Sequence, residues 1–421
     1  MTVAADYETS AGLGARIKRL LGARIATVGD QLLVAVANFW LTVSIGRAYA
    51  AEELAAYGIG LSAGLMAQAL QRHTIIIPLM LQPKDRFRRR LGGTLAQHWL
   101  LLLSALTICS LCLGAAFWLD VPRYGLLIIA ASGVCLIVYA ELEFARAFLM
   151  TLRRPASLLA ASAYYAAVSA MLGFAALSGW LGFPAFMALL AGAMLLHALA
   201  VTLVGRAFDI SQGLRLLGAG IRSYGAWSLV AMATYAGYTH MPLFVLGSLA
   251  APVHAAAFVA TRSLMQPLQI MLRGLDIADK TAFAERTASV HSFGALRATA
   301  RLAGVYALAG GAFGLCVCLF ADSILWLAYG AKFAGESGPL MAWVPVFILL
   351  ACMMPVESLV YARRSFKSYY LARALGSLTA IALTWPLVLH FSETGAILAS
   401  GAGALVAACG AMLFLKRGSV R

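Results

Sequence analysis

Two arginines sit where arginine is costly. Arg72 lies in the run 54–81 and Arg262 in the run 252–275, both apolar enough to cross a bilayer; the first also carries Gln68, Gln71 and His73, the second Gln266, Gln269 and Arg273. A charge at the centre of a membrane helix costs on the order of 3 kcal/mol on insertion scales, so it turns toward a partner, a wet cavity or the headgroups. Gly60, Gly64, Gln68 and Arg72 recur every four residues, and Arg262, Gln266, Gln269 and Arg273 follow at i, i+4, i+7 and i+11, so each set occupies one side of a helix. Arg262 stands roughly 15 Å in from the preceding loop, near the midplane and out of easy snorkelling range. For Arg72 two readings stand. Either the small residues pack a neighbour and the guanidinium reaches the headgroups, or this side lines a path for something anionic. A guanidinium grips a phosphate through paired hydrogen bonds, and in a low dielectric one or two fixed positive charges act strongly on a diphosphate.

Further polar residues follow the same logic. Tyr224, Ser228, Tyr235, Tyr238 and Thr239 form a stripe in the run 224–249 that ends near His240 and Pro242, and Gln31, Asn38 and Thr42 form one in the run 25–47. Spans 6 and 12 show almost nothing of the kind. The acidic residues inside apolar runs are Asp30, Glu141, Glu143 and Glu357, all toward one end of their spans, so no carboxylate waits at the midplane for a cationic cargo. Glu143 and Arg146 are i, i+3 neighbours and are expected to pair. Asp30 is expected either to partner Arg72 or to take a proton or sodium ion. His73 and His240 titrate between about pH 5 and 8 when unperturbed, which makes them candidates for ion coupling against the plainer role of packing. The seven cysteines, including Cys109–Cys112 and Cys316–Cys318, all fall in apolar runs without metal-ligand spacing and read as small buried hydrophobes. No metal or organic cofactor is expected.

The elements that must position these residues are membrane helices. Across 421 residues, 62% are hydrophobic and 12% charged, against about 25% charged in soluble domains. The chain is therefore all-α and polytopic. Twelve segments approach the ~20-residue spanning length: 25–47, 54–81, 94–119, 124–145, 157–179, 183–205, 224–249, 252–275, 300–328, 339–360, 368–390 and 394–415. Net charge is +15, but the basic residues sit in short loops, which excludes nucleic acid as the partner. All but five of the 32 Lys and Arg fall on one side of the membrane; Arg47, Arg123 and Lys332 fall on the other, and Arg72 and Arg262 within spans. The positive-inside rule then makes both termini cytoplasmic and the span number even. No cleavable signal peptide is visible at the start. Lys84–Arg90 reads as an orientation signal and a contact for anionic lipid. The segment 276–299 reads as an interfacial helix. External connections such as 119–124, 179–183 and 392–395 are too short to house a catalytic domain.

A faint internal repeat divides the chain. Leu33–Ala37 (LVAVA) matches Leu229–Ala233 (LVAMA), and Ala55-Ala56-Tyr57 echoes Ala256-Ala257-Phe258. The expected organisation is a tail over 1–24, an N-lobe of six spans over 25–205, a linker over 206–223, a C-lobe of six spans over 224–415 and a tail over 416–421. Polar faces concentrate on spans 1, 2, 7 and 8, as two lobes around a shared cavity require.

With its opening GARIATVGDQLLVAVANFWLTVSIGRAY, its second span LAAYGIGLSAGLMAQALQRH and the stretch from Tyr224 to Leu272, the chain resembles the Wzx-type polysaccharide flippases of the MOP exporter superfamily, which also holds MATE exporters and lipid II flippases. The resemblance is diffuse over the whole chain. It implies a V-shaped pair of bundles, alternating access, a bacterial inner-membrane location and a cationic cavity for an undecaprenyl-pyrophosphate-linked glycan. Arg72, Arg262, Gln68, Gln266, Gln269, Asn38, Tyr235 and Tyr238 are the candidate cavity residues. A polysaccharide polymerase and glycosyltransferases would be its partners, and a monomer is the default. The alternatives are a MATE-like small-molecule antiporter and a membrane-embedded polymerase or ligase, the last disfavoured because no basic cluster accompanies the external acidic residues.

Overall fold

The computed structural model describes residues 13–80, 84–152, 154–222, 226–269, 272, 292–363 and 366–418. Tyr224, Arg273, most of the segment 276–299 and the side chains of His73 and Ser228 lie outside the described residues. In chain order the helices are α1 (Leu13–Ala48), α2 (Ala51–Gln71), a π-helical turn (Arg72–Ile76), α3 (Ile77–Met80), α4 (Lys84–Trp118), α5 (Arg123–Thr151), α6 (Pro155–Leu177), α7 (Phe183–Gly205), α8 (Ile210–Gly220) and α9 (Ala226–Thr239). They continue with α10 (Met241–Leu249), α11 (Pro252–Leu264), α12 (Ser292–Leu319), α13 (Ala321–Tyr329), α14 (Ser337–Arg363) and α15 (Phe366–Gly418). The described residues contain no strand.

Among the described residues eight helices are long and apolar enough to span a membrane, and a ninth span comes from α9 and α10 together, bent by 54°. The other expected spans are accounted for differently. The run 54–81 is divided among α2, the π turn and α3, and its polar residues dilute its hydropathy. Spans 11 and 12 form one continuous element, α15, that reverses at Ser392 (φ 49°, ψ −123°). The expected span 300–328 is corrected: α12 stops at Leu319, and Ala321–Tyr329 forms a separate helix.

Local sequence explains the boundaries. Proline stands in the first turn of α6, α7, α10 and α11, where its missing N–H costs nothing. In the linker, α8 is capped by the Asp209 carboxylate, which accepts from the Gln212 backbone N–H at 2.9 Å. The Gln212 side chain accepts from the Gly93 N–H at 3.0 Å, which fastens α8 to α4.

Packing is mainly within each half, with α1 on α6 and α2 on α5 in the first, and α12 on α14 and α9 on α15 in the second. The halves touch through α2 and α11, where an added Cβ on Gly58 would lie 2.1 Å from Val259. They also meet at the loop following α1. The Lys332 ammonium, from the second half, donates to the carbonyls of Gly46 (2.9 Å), Arg47 (3.3 Å) and Tyr49. These carbonyls end α1 and lack helical partners, so a cation is their natural cap.

The small side of α2 is a packing face at its outer end. A Cβ on Gly60 would lie 2.6 Å from the Ala131 carbonyl carbon, and one on Gly64 2.8 Å from the Cys135 carbonyl oxygen. Backbone cannot step aside cheaply. Gly60→Ala and Gly64→Ala are each expected to lower stability by about 1–3 kcal/mol through overpacking, whereas Gly192→Ala on α7, with nothing within 4 Å, should not. Thermal melting in detergent checks all three.

Candidate functional site

In the first half every described arginine inside the bundle has an acidic partner. Arg72, at the start of the π turn, donates to Glu143 Oε1 from Nε at 2.8 Å and from Nη2 at 2.5 Å, and Gln68 donates to Glu143 Oε2 at 3.0 Å. One turn along α5, Arg146 grips Asp30 of α1, with Nε 2.8 Å and Nη2 2.5 Å from Oδ2. Ser162 of α6 donates to the other Asp30 oxygen. Asp30 is fully buried, while the Arg72 side chain is 55% exposed.

This corrects two expectations. Asp30 pairs with Arg146 and not with Arg72, because α1 lies against α6 while α2 faces α5 at the level of Glu143. Arg146, counted above with the loop residues, is 15% exposed inside the bundle. Its expected i, i+3 contact with Glu143 exists at 3.8 Å but is secondary.

The second half is built otherwise. Arg262 of α11 donates from Nη1 to the Thr239 carbonyl at 3.0 Å, and its guanidinium carbon lies 5.7 Å from the Trp343 ring centroid. The bend between α9 and α10 creates that acceptor. In an unbroken helix the Leu243 N–H would take the Thr239 carbonyl, but here it bonds His240 at 3.1 Å. The released carbonyl, at the negative end of α9, receives the guanidinium. Arg373 of α15 is 8% exposed, with its guanidinium carbon 5.1 Å from the Tyr235 ring, 5.3 Å from Tyr369 and 6.0 Å from Tyr238. It too was expected in a cytoplasmic loop. Among the described residues neither Arg262 nor Arg373 forms an ion pair.

The remaining candidates are placed as follows. Asn38 Oδ1 accepts from the Tyr165 hydroxyl at 2.6 Å and the Tyr139 hydroxyl at 3.1 Å. Tyr235 and Tyr238 flank Arg373. His240 is buried at the bend, and its Nδ1 has no hydrogen-bond partner. Gln266 and Gln269 are half-buried on the helical segment 266–269. Sequence reasoning missed Arg373 and a buried cluster of His98, Glu141 and His197, and span 6, read as nearly free of polar residues, supplies that last histidine. The shared signal was a titratable residue well inside an apolar run.

No protein-family model matches the chain, and no curated protein matches it. Solved structures do. An inward-facing multidrug resistance MATE family transporter of the MOP superfamily gives a TM-score of 0.70 at 12% identity, covering 94% of this chain and 98% of the other. The lipid II flippase MurJ in an inward closed conformation gives 0.70 at 13% identity, covering 94% and 87%. A MOP superfamily transporter from Pyrococcus furiosus, reported with a binding pocket of reverse polarity, gives 0.58 at 15% identity with 96% of each chain covered. The fold is that of the MOP-superfamily transporters. Within this MOP fold the chain is a multi-pass membrane protein, and at such low identity its cargo must be argued from its own charges.

Removing one member of a buried ion pair strands the other and costs about 3–5 kcal/mol, whereas replacing both is far milder. Asp30→Asn should therefore lower the melting temperature of this MOP-fold protein much more than the double variant Asp30→Asn, Arg146→Met. Differential scanning fluorimetry on the purified variants gives the comparison.

Proposed function

We propose that this protein is a flippase that moves an undecaprenyl-pyrophosphate-linked oligosaccharide across the bacterial inner membrane by alternating access, for surface or exopolysaccharide assembly. One observation carries the reading: Arg262, in the last turn of α11, is held by a carbonyl and a ring, neither of which cancels its charge. A positive field left standing in a low dielectric attracts a diphosphate and repels a cation. Arg72 adds a second grip, since Glu143 occupies one edge of a guanidinium that is otherwise more than half exposed. Gln68, Gln266, Gln269, Asn38, Tyr235 and Tyr238 are assigned to the same path as neutral hydrogen-bonding groups for sugar and phosphate.

The positive-inside distribution puts the Lys332 contact with α1 on the external side, so the two halves meet there and the cargo enters from the cytoplasm. The fold serves a MATE-type small-molecule exporter equally well. Charge separates the two, because a cationic drug would meet Arg262 without a midplane carboxylate to offset it.

Arg262→Ala is expected to lower flipping of lipid-linked oligosaccharide by roughly 10- to 100-fold, the equivalent of about 1.5–3 kcal/mol for a charged hydrogen bond, with membrane levels unchanged. Arg262→Lys should retain part of the activity. Surface polysaccharide output and flipping in proteoliposomes are the measurements, and normal output from Arg262→Ala overturns the reading. A deletion strain that keeps its polysaccharide but becomes sensitive to cationic drugs would assign the MATE role instead.

A further inference from the structure

Away from the arginines, three titratable side chains are sealed together inside the first half. Glu141 of α5 is fully buried, His98 of α4 is 1% exposed and His197 of α7 is 7% exposed. The carboxylate bridges the imidazoles, with Oε2 2.5 Å from His98 Nε2 and Oε1 2.8 Å from His197 Nδ1. The His98 ring is stacked flat on Phe144 at 3.9 Å, and that of His197 on Tyr164 at 5.3 Å. The three groups bind one another and do not converge on a common point, and among the described residues no trio of His, Cys, Asp or Glu is disposed to hold a metal ion.

The fourth member is an amide. Gln71, on α2 one residue before the π turn, donates from Nε2 to the Ala140 carbonyl at 3.1 Å and stands 3.4 Å from His98 Nδ1. Its Oε1 is buried with no hydrogen-bond partner. An orphaned buried carbonyl is expensive and calls for a reason. The tautomers supply one. With both imidazoles neutral and donating to Glu141, His98 Nδ1 is an acceptor and meets the Gln71 NH2. Adding one proton to His98 Nδ1 turns it into a donor, which the Gln71 NH2 cannot accept. A half-turn of the amide then brings Oε1 to His98 and breaks the bond to Ala140. The orphan oxygen is the acceptor that the protonated cluster needs.

We infer that His98, Glu141, His197 and Gln71 form a proton-binding site that exchanges the Gln71–Ala140 bond for a Gln71–His98 bond and so ties proton occupancy to the packing of α2 on α5. This rests on the transporter reading above and adds to it a coupling site separate from the residues assigned to cargo. The two states differ by one proton, and the cluster's net charge changes from −1 to 0. The charged groups on the surrounding elements do not compete for it. Arg72 with Glu143 and Arg146 with Asp30 are closed pairs, and the Tyr164 hydroxyl donates to the Ala193 carbonyl. Beyond α4, Arg215 and Arg222 of α8 turn back onto the carbonyls of Ser211 and Gly218. Gln71 adjoins Arg72 and follows Gln68 by three residues, so the amide's change acts on the very turn that carries those two.

The test uses the full-length protein in nanodiscs and needs no cargo. Nitrogen NMR of 15N-histidine-labelled protein, with assignment by His98→Asn and His197→Asn, follows the imidazoles from pH 5 to 8.5, and amide exchange follows the stretch 66–80. The expected result is titration of one imidazole of the pair, with exchange in 66–80 about tenfold faster in the protonated form after correction for the intrinsic pH dependence. Glu141→Gln should abolish both responses. Gln71→Met should keep the titration and lose the exchange response, which a merely structural role for the cluster would not produce. An exchange rate in 66–80 that ignores pH in the wild type, or a response that survives in His98→Asn, overturns the inference. If Glu141→Gln fails to fold, His98→Asn and Gln71→Met carry the same decision. Flipping assays separate the two readings, since cargo transport that is indifferent to a pH gradient removes the coupling site and leaves the flippase standing, whereas absence of flipping with intact histidine titration does the reverse.

Discussion

Burying an ion in a chain this apolar is the constraint that organises the protein, and its two halves meet that constraint by different means. In the first half a carboxylate faces each guanidinium, so Arg72, Glu143, Arg146 and Asp30 sum to no net charge. In the second half Arg262 and Arg373 rest on a helix-end carbonyl and on aromatic faces. The first half sets a carboxylate against each guanidinium, whereas in the second Arg262 has a carbonyl and a ring and the Arg373 Nε is buried without a hydrogen-bond partner. The molecule is therefore electrically lopsided along α9 and α11, which the repeat pairs with α1 and α2.

Irregular backbone supplies much of this chemistry. The bend at His240 liberates the Thr239 carbonyl that Arg262 occupies, and the end of α1 provides the carbonyls that Lys332 caps. Non-helical backbone within a membrane is tolerated where protein or enclosed water satisfies it. Here a side chain from the neighbouring element does so, and the break becomes a place where one helix holds another.

The helical class, most of the spans and the side preference of α2 were legible because hydropathy and spacing report directly on burial, whereas the runs 54–81, 252–275 and 300–328 are broken into shorter helices. Gly60 and Gly64 do pack closely, and the boundary between spans 11 and 12 falls at Ser392, inside the expected gap. What sequence could not supply was partner choice. Asp30 lies at similar depth to several arginines, and only the three-dimensional arrangement brings it Arg146 from α5 and Ser162 from α6. Arg373 looked like a loop residue because it follows the three basic positions Arg363, Arg364 and Lys367, and three tyrosines from two elements had to converge before its burial made sense. His98, Glu141 and His197 come from three different spans, α4, α5 and α7, so no local pattern announces them.

The wide turn at Arg72–Ile76 has one more consequence. It accommodates an extra residue relative to a regular helix, so loss of one position there would restore ordinary winding and leave the face of α3 where it is, whereas the same loss in a regular turn of α2 would rotate everything beyond it by about 100°. In most of this chain composition is what folding notices. Over these five residues the chain can lose one amino acid and keep the helix faces on either side in register.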